Sequence, residues 1–523
     1  MKTNCLRISC CLFAIFLGLS ALYSQSDTIM PSGTSVNWRV EAYGGGSTGD
    51  WAPYLIGSNS GGRHAMKSSA VAEGSVWRDF DLAKRFSWTA GIDLAAGFHA
   101  SATYDLFNEA EQQWTTQRWH PSNATIYQLW AGLKFRGVML WGGMKDRNSP
   151  VVDDALSSGD LLLSNNARAI PVVEIGFVDF QNIPFTKGWV QINGSIAYGK
   201  YTDSKALENR YNRWIEHITL SQLFTYKRIH FRSRPDRPLS VTVGVQAGGE
   251  FGGTTYFYDR GKLTGKVKNS QDLRSFWEMF IPTLRHADGF VEGNQLGTWD
   301  FKARYRTQSG FEVEGYFQWL WEDGSGMAKR NQSDGLWGLS FKLPGENKVL
   351  KKIIAEYIDF RDQSGPMHWA PGDFPGASIT TEATGGDNYY NNSSFNAWSN
   401  YGLCIGSSFP KAPLYNSDGF PQFQHNRTHG FQIAATGNIV PTVDWTAKLS
   451  YAAAWGMGRI PQLETLKNTS MAVNACWKPI NTNLEGFSAS VTVAFDAGSL
   501  RGNNFGALLN LAYSGNFTLN KKH

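Results

Sequence analysis

Gly486–Asp496 reads GFSASVTVAFD, so Phe487, Ala489, Val491, Val493 and Phe495 alternate with Ser488, Ser490, Thr492, Ala494 and Asp496. A period of two predicts a β-strand with one apolar and one polar face. The pattern returns along the whole chain. In Trp88–Thr103, the residues Trp88, Ala90, Ile92, Leu94, Ala96, Phe98 and Ala100 share one face, and Thr89, Gly91, Asp93, Gly97, His99 and Ser101 share the other. Leu239–Ala247 sets Val241, Val243 and Val245 against Ser240, Thr242 and Gln246, and Val443–Trp455 turns Lys448 and Ser450 to its polar side. Ala507–Leu519 sets Leu509, Leu511, Tyr513 and Phe517 against Asn510, Ser514, Asn516 and Thr518. These are too many strands for one soluble sandwich, and their apolar sides are rich in rings. The pattern predicts an all-β fold, a transmembrane antiparallel β-barrel with apolar residues facing lipid and polar residues facing the lumen.

Connection lengths predict the topology, because such barrels alternate long external loops with short periplasmic turns. Strands are expected near 35–43, 68–80, 86–104, 123–134, 138–146, 172–177, 188–200, 217–232 and 239–248. The second half places them near 297–307, 311–322, 336–343, 349–360, 429–438, 443–455, 469–477, 486–496 and 505–519. That is about 18, an even number that returns both ends to the periplasm, with 16 the alternative if weakly patterned segments such as 217–232 are not strands. The long stretches 44–67, 105–122, 147–171, 201–216, 249–296 and 361–428 become extracellular loops, long enough to carry function or to fill the pore. Short helices are expected to plug or cap the lumen. Asp203 or Ser204 would cap one running through Arg213, and Ser270 would cap Gln271–Phe280, packed against a plug or the rim.

Lys2, Arg7, the apolar run Leu12–Leu22 and the exit Ala21-Leu22-Tyr23-Ser24 form a secretory signal peptide over residues 1–24, leaving 25–523 as a single barrel domain. No later run reaches the ~18 apolar residues of a membrane helix. An exported chain without such a helix fits the outer membrane of a Gram-negative bacterium. Hydrophobic content of 42% is what alternating strands produce, whereas 20 Trp among 14% aromatic residues suits rings placed at a membrane–water boundary. Net charge is +5, or +3 without Lys2 and Arg7, and gives no nucleic-acid signature. Cys404 and Cys476 remain after cleavage, at opposite ends of the barrel and therefore unpaired.

Asp300–Glu322 carries charge on its polar face. Lys302, Arg304 and Arg306 precede Gln308-Ser309-Gly310, and Glu312 and Glu314 follow. Keeping the apolar faces together requires a three-residue loop with Gly310 in the left-handed position. Arg306 would then oppose Glu312, and Arg304 would oppose Glu314, inside the lumen. Two carboxylates offset by about 6.6 Å match the spacing used in glycoside hydrolysis, but opposing arginines hold both ionised and leave no acid. An ion ladder is the expected role. Asp93 and His99 share a face yet lie ~20 Å apart, too far for an acid–base pair. With no Gly-x-Ser-x-Gly or His-Glu-x-x-His motif, neither an enzyme nor a cofactor is expected.

The loops point to carbohydrate. Trp369, then Asp387, Asn388, Tyr389, Tyr390 and Trp398, with Trp114 and Trp119 in an earlier loop, combine rings that stack on sugar C–H faces with amides and carboxylates that bond hydroxyls. The same rings could instead pack the loops into a plug.

Several motifs resemble the capsule assembly Wzi family in its Bacteroidetes form. They are Trp51-Ala52-Pro53-Tyr54-Leu55-Ile56-Gly57-Ser58-Asn59, Leu156-Ser157-Ser158-Gly159, Asn166-Ala167-Arg168-Ala169-Ile170-Pro171 and Ile183-Pro184-Phe185-Thr186-Lys187-Gly188-Trp189. The likeness continues through Gly244–Gly253, where members often carry a His and a Trp that this chain lacks. It implies a monomeric outer-membrane barrel of 18 strands, embedded in outer-membrane lipid, that binds capsular or exopolysaccharide like a lectin beside the export machinery. The alternative is a passive oligosaccharide porin, and a surface hydrolase or lipid-modifying enzyme is a third class.

Overall fold

The computed structural model describes residues 35–281, 293–322, 324–345, 348–365, 386–458 and 460–518. The signal-peptide segment, Trp369 and the last five residues lie outside them. Strands β1 (Ser35–Trp51), β2 (Met66–Arg78), β3 (Phe86–His99), β4 (Ala124–Phe135), β5 (Val138–Met144) and β6 (Val172–Phe177) open the barrel. They are followed by β7 (Val190–Lys200), β8 (Leu223–Ser233), β9 (Leu239–Phe251), β10 (Asn294–Arg306), β11 (Glu312–Trp321) and β12 (Gly335–Lys342). The last six are β13 (Lys352–Asp359), β14 (Thr428–Val440), β15 (Val443–Gly456), β16 (Pro461–Trp477), β17 (Phe487–Gly498) and β18 (Asn504–Thr518). The main sheet has 19 strands, of which the two-residue Gln181–Asn182 continues β6 along β7, so 18 (19 − 1) form the wall. Every neighbour is antiparallel, and β1 closes the cylinder on β18 from Ser35↔Thr518 to Ser47↔Gly506. Closure leaves no unpaired edge, which lipid would not tolerate.

The alternation sorts as lipid demands. Trp88, Leu94 and Phe98 of β3 are exposed outside, whereas Ser87, Thr89 and Asp93 are buried inside. Val491, Val493 and Phe495 of β17 repeat this, with Asp496 buried in the lumen. Among the described residues no helix is long and apolar enough to cross a membrane; the strands do so. The Arg136-Gly137 and Pro441-Thr442 turns show how tight the periplasmic end is.

Two expected strands are shorter than the pattern implied. Segment 217–232 breaks at Ser221, whose φ is 59°, into Ile215–Leu220 outside the barrel and β8 within it. Segment 86–104 ends its wall strand at His99, and Ala102–Asn108 turns away to pair with Gln113–Trp119. The helix expected from Asp203 to Arg213 is one turn, Ser204–Glu208. The other is Leu273–Phe280, capped by Asp272, which accepts from Ser275 N at 2.8 Å, rather than by Ser270. Gly310 does take the left-handed conformation, with φ of 86°.

Candidate functional site

The lumen is filled by three inserted segments, and the largest core cluster lies there rather than between sheets. Loop 145–171 enters from outside and runs along the inner wall. Ser158 N donates to Glu356 Oε2 at 2.8 Å, Leu161 N to Gln318 Oε1 at 3.0 Å, and Gln432 Nε2 to Leu156 O at 2.8 Å. The loop reaches the periplasmic start of β13, where Lys352 Nζ meets Asp153 at 2.7 Å. Segment 386–427 packs above it. Trp398 Nε1 donates to Leu162 O at 2.9 Å, Tyr390 OH to Leu161 O at 2.7 Å, and Asn166 Nδ2 to Cys404 O at 2.9 Å. The third segment is 52–65, with the short helix Tyr54–Gly57. Its Arg63 binds Glu73 at 2.9 Å and Asp93 at 2.6 Å and lies over the Tyr127 ring. Segments 51–59, 156–159 and 166–171 meet in this plug, where Asn59 N donates to Asn166 Oδ1 and Asn59 Nδ2 to Ser157 O, each at 3.1 Å, while 183–189 lies in the periplasmic turn before β7.

The most chemically loaded cluster is sealed. Asp160 and Asp300 both accept from the Nε2 atoms of Gln246 and Gln318, Ser149 Oγ donates to Asp160 at 2.6 Å, and His230 Nε2 lies 2.7 Å from Asp300. Burial and the neighbouring Asp300 charge push the Asp160 carboxyl upward. Asp160, Gln246, Gln318, His230 and Asp300 are all buried, so this network ties plug to wall and offers no substrate access. Among the described residues no group of three or more His, Cys, Asp or Glu is placed to hold a metal ion.

The predicted carbohydrate residues separate into two environments. Tyr389, Tyr390 and Trp398 are entirely buried and present no ring to the outside, because each is packed into the plug. Tyr389 and Tyr390 pack edgewise on Phe360 at 5.7 and 5.9 Å. Asp387, also buried, accepts from Ser364 Oγ, and Asn388 Oδ1 accepts from Asn426 Nδ2 at 2.6 Å. Trp114 and Trp119 instead stand in the external hairpin. Trp114 is 44% exposed and meets Phe107 and Trp214 at centroid distances of 5.7 Å each, with Phe107 4.5 Å from Trp214. Arg210 lies 5.0 Å over the half-buried Trp119. Beside this trio a second external sheet, Ile215–Leu220, Thr254–Asp259 and Lys262–Lys268, carries exposed Lys262, Lys266 and Lys268. Phe107 and Trp214 were not singled out in the sequence; only tertiary contact joins them to Trp114. For loop 145–171, the run Leu161-Leu162-Leu163 after Asp160 was a legible sign of burial.

At the periplasmic end, a cavity of about 470 Å³ opens between the plug and β10–β13, lined by Asp153, Lys302, Glu312, Glu314, Lys342, Lys351 and Lys352. Arg306 faces Glu312 across the hairpin and binds it at 2.6 Å. Arg304 faces Glu314, yet Glu314 is approached by Lys302 at 3.5 Å, because Arg304 reaches toward Pro235 O and lies 4.0 Å from Glu312. The charged groups here pair diagonally as well as straight across. Cys404 is buried in the plug and Cys476 lies near the periplasmic end of β16, both free.

Solved structures share this architecture. Escherichia coli Wzi, described as an outer membrane protein involved in group 1 capsule assembly and a carbohydrate-binding β-barrel, matches 97% of this chain and 88% of its own at a TM-score of 0.54 and 14% identity. The fold is that of an outer-membrane barrel. Acinetobacter baumannii OccAB2 matches 92% of this chain and 98% of its own at a TM-score of 0.46 and 10% identity. Pseudomonas aeruginosa OccK3 matches 92% and 96% at 0.43 and 10%. No protein-family model and no curated protein sequence matches the chain. The likeness is therefore one of fold, that of a closed outer-membrane-type β-barrel.

Proposed function

We propose that this barrel handles carbohydrate at the cell surface, binding an exported capsular or exopolysaccharide on its external crown and holding it there. The observation that carries the reading is the filled lumen. With Leu161, Leu162, Tyr390 and Trp398 fully buried in a plug bonded to the wall, the surface left to meet a large extracellular ligand is the crown. There Trp114 offers an exposed ring, held against the buried Phe107 and the half-buried Trp214, and Lys262, Lys266 and Lys268 offer donors. Many weak ring and hydroxyl contacts along a repeating polymer add up through avidity. The description of Escherichia coli Wzi as carbohydrate-binding accords with this reading. The test is binding of polysaccharide from the source cells to detergent-solubilised protein. Trp114→Ala is expected to weaken binding about tenfold, roughly 1.4 kcal/mol. Unchanged affinity in both Trp114→Ala and Trp214→Ala removes the crown from consideration.

A second reading, a solute channel, is favoured by the charged cavity at the periplasmic mouth, which is the kind of vestibule an oligosaccharide or anion would enter. Passage then requires the plug to move. Large, stable single-channel currents from the unmodified protein in planar bilayers would favour the channel over the tether.

A further inference from the structure

Helix Leu273–Phe280 (α3) packs at the extracellular rim of the wall, and on its outside rather than over the lumen. Adjacent residues of β9 decide the side. A side chain at Gly248 would meet the Trp398 ring in the lumen, whereas one at Gly249 would collide with Met279 of α3. Successive strand residues point to opposite faces, so α3 rests on the outer wall. Other outward residues agree. Tyr198 OH donates to Phe276 O at 2.8 Å, and the Phe251 ring packs edgewise on Phe276 at 5.0 Å. Lys227, outward on β8, donates to Met279 O in the last turn of the helix, where a cation is favourable.

The opposite side of α3 is bare and apolar. Leu273 is 89% exposed, Trp277 59% and Ile281 43%, a stripe at spacings of four. The height of this stripe follows from β7. Trp189, exposed just before its periplasmic start, and Tyr198 are about nine residues apart, or about 23 Å along the barrel axis at ~3.3 Å per residue and ~40° tilt. The apolar band of such barrels is about 25 Å tall, so α3 sits at its outer margin. Arg274, paired with Glu278 at 2.8 Å, and the exposed Lys268 just before the helix supply charge at that level.

We infer that α3 is an interfacial anchor that inserts Leu273, Trp277 and Ile281 among the acyl chains of the membrane's outer leaflet. A tryptophan on such a stripe takes the position that interfaces favour. The anchor also restrains the external sheet, because Lys262–Lys268 runs into α3 through Asn269, whose N–H donates to Gly253 O at 3.1 Å. This inference is independent of what the crown binds.

The experiment uses the full chain with Cys404→Ala and Cys476→Ala, reconstituted in phosphatidylethanolamine–phosphatidylglycerol vesicles. Nitroxide labels are placed at Leu273→Cys or Trp277→Cys, with Val243→Cys on the wall and Lys266→Cys on the crown as references. Collision rates with oxygen and with a water-soluble nickel chelate are compared. The labels at 273 and 277 are expected to favour oxygen several-fold, as at 243. Nickel accessibility equal to that at 266 overturns the inference, as does shielding from both reagents, which would mean a protein covers the stripe. If the Trp277 variant loses heat-modifiable migration, the highly exposed Leu273 position supplies the answer alone.

Discussion

Trp398→Ala probes what keeps the lumen closed. The ring is fully buried, its Nε1–H donates to Leu162 O at 2.9 Å, and it packs on Phe224 at 5.7 Å and against Gly248 of the wall. Removing a buried Trp side chain costs about 3–5 kcal/mol, and leaving the Leu162 carbonyl without its donor adds about 1 kcal/mol or more. The wall's backbone ladder does not pass through this residue, so the loss falls on local opening of the plug. A 4 kcal/mol loss raises the open population by about a thousandfold. Limited proteolysis of folded protein should therefore cut within 386–409 two to three orders of magnitude faster, while heat-modifiable migration shows the barrel intact. Single-channel recordings should show step openings that the unsubstituted protein lacks. Trp398→Phe, which keeps most of the volume, should move both readouts far less. Unchanged proteolysis in a folded Trp398→Ala barrel, or equal damage from Phe and Ala, would refute the idea that this ring pins the plug.

Asp203 carries a pH dependence. Burial pushes its carboxyl up to about 6, against the lowering effects of the Tyr401 N–H, which it accepts at 3.0 Å, and of Arg210. The folded state then binds more protons than the unfolded chain between about pH 4 and 6, so stability falls as pH rises through that window, by roughly 2–3 kcal/mol, and levels off above it. Protease resistance of loop 201–222 should decline over the same range, and Asp203→Asn, which keeps an acceptor for Tyr401, should flatten the curve. The two cysteines should differ in reactivity. Cys476 is half-buried and Cys404 is fully buried with its thiol pushed up by that burial, so maleimide should modify Cys476 in the native protein and Cys404 only after denaturation. A native mass or mobility that shifts on reduction would contradict this.

How much was legible follows from the range of each interaction. Strand alternation is a property of neighbouring residues, and lipid enforces it on every stave, so the barrel, its 18 strands and the Arg306–Glu312 pairing across Gly310 could be read from local pattern. The breaks at Ser221 and after His99 were not, because each is set by pairing outside the wall, of Ile215–Leu220 with Thr254–Asp259 and of Ala102–Asn108 with Gln113–Trp119. The plug was less legible still. Nothing within 386–398 distinguishes an exposed ring from a buried one; Trp398 and Tyr390 are interior because Leu161, Leu162 and Phe224 arrive from distant segments. Conversely, the exposed Trp114 is held in place only because the buried Phe107 and the half-buried Trp214 are brought to it. The side taken by α3 depended on Gly249 leaving room for Met279 on the outer wall. Periodicity therefore determined that this chain is a membrane cylinder with a polar lumen, since each strand answers to its own solvent. Which loops fill that lumen and which rings reach the outside was decided only by contacts between segments far apart in the chain, which no local pattern encodes.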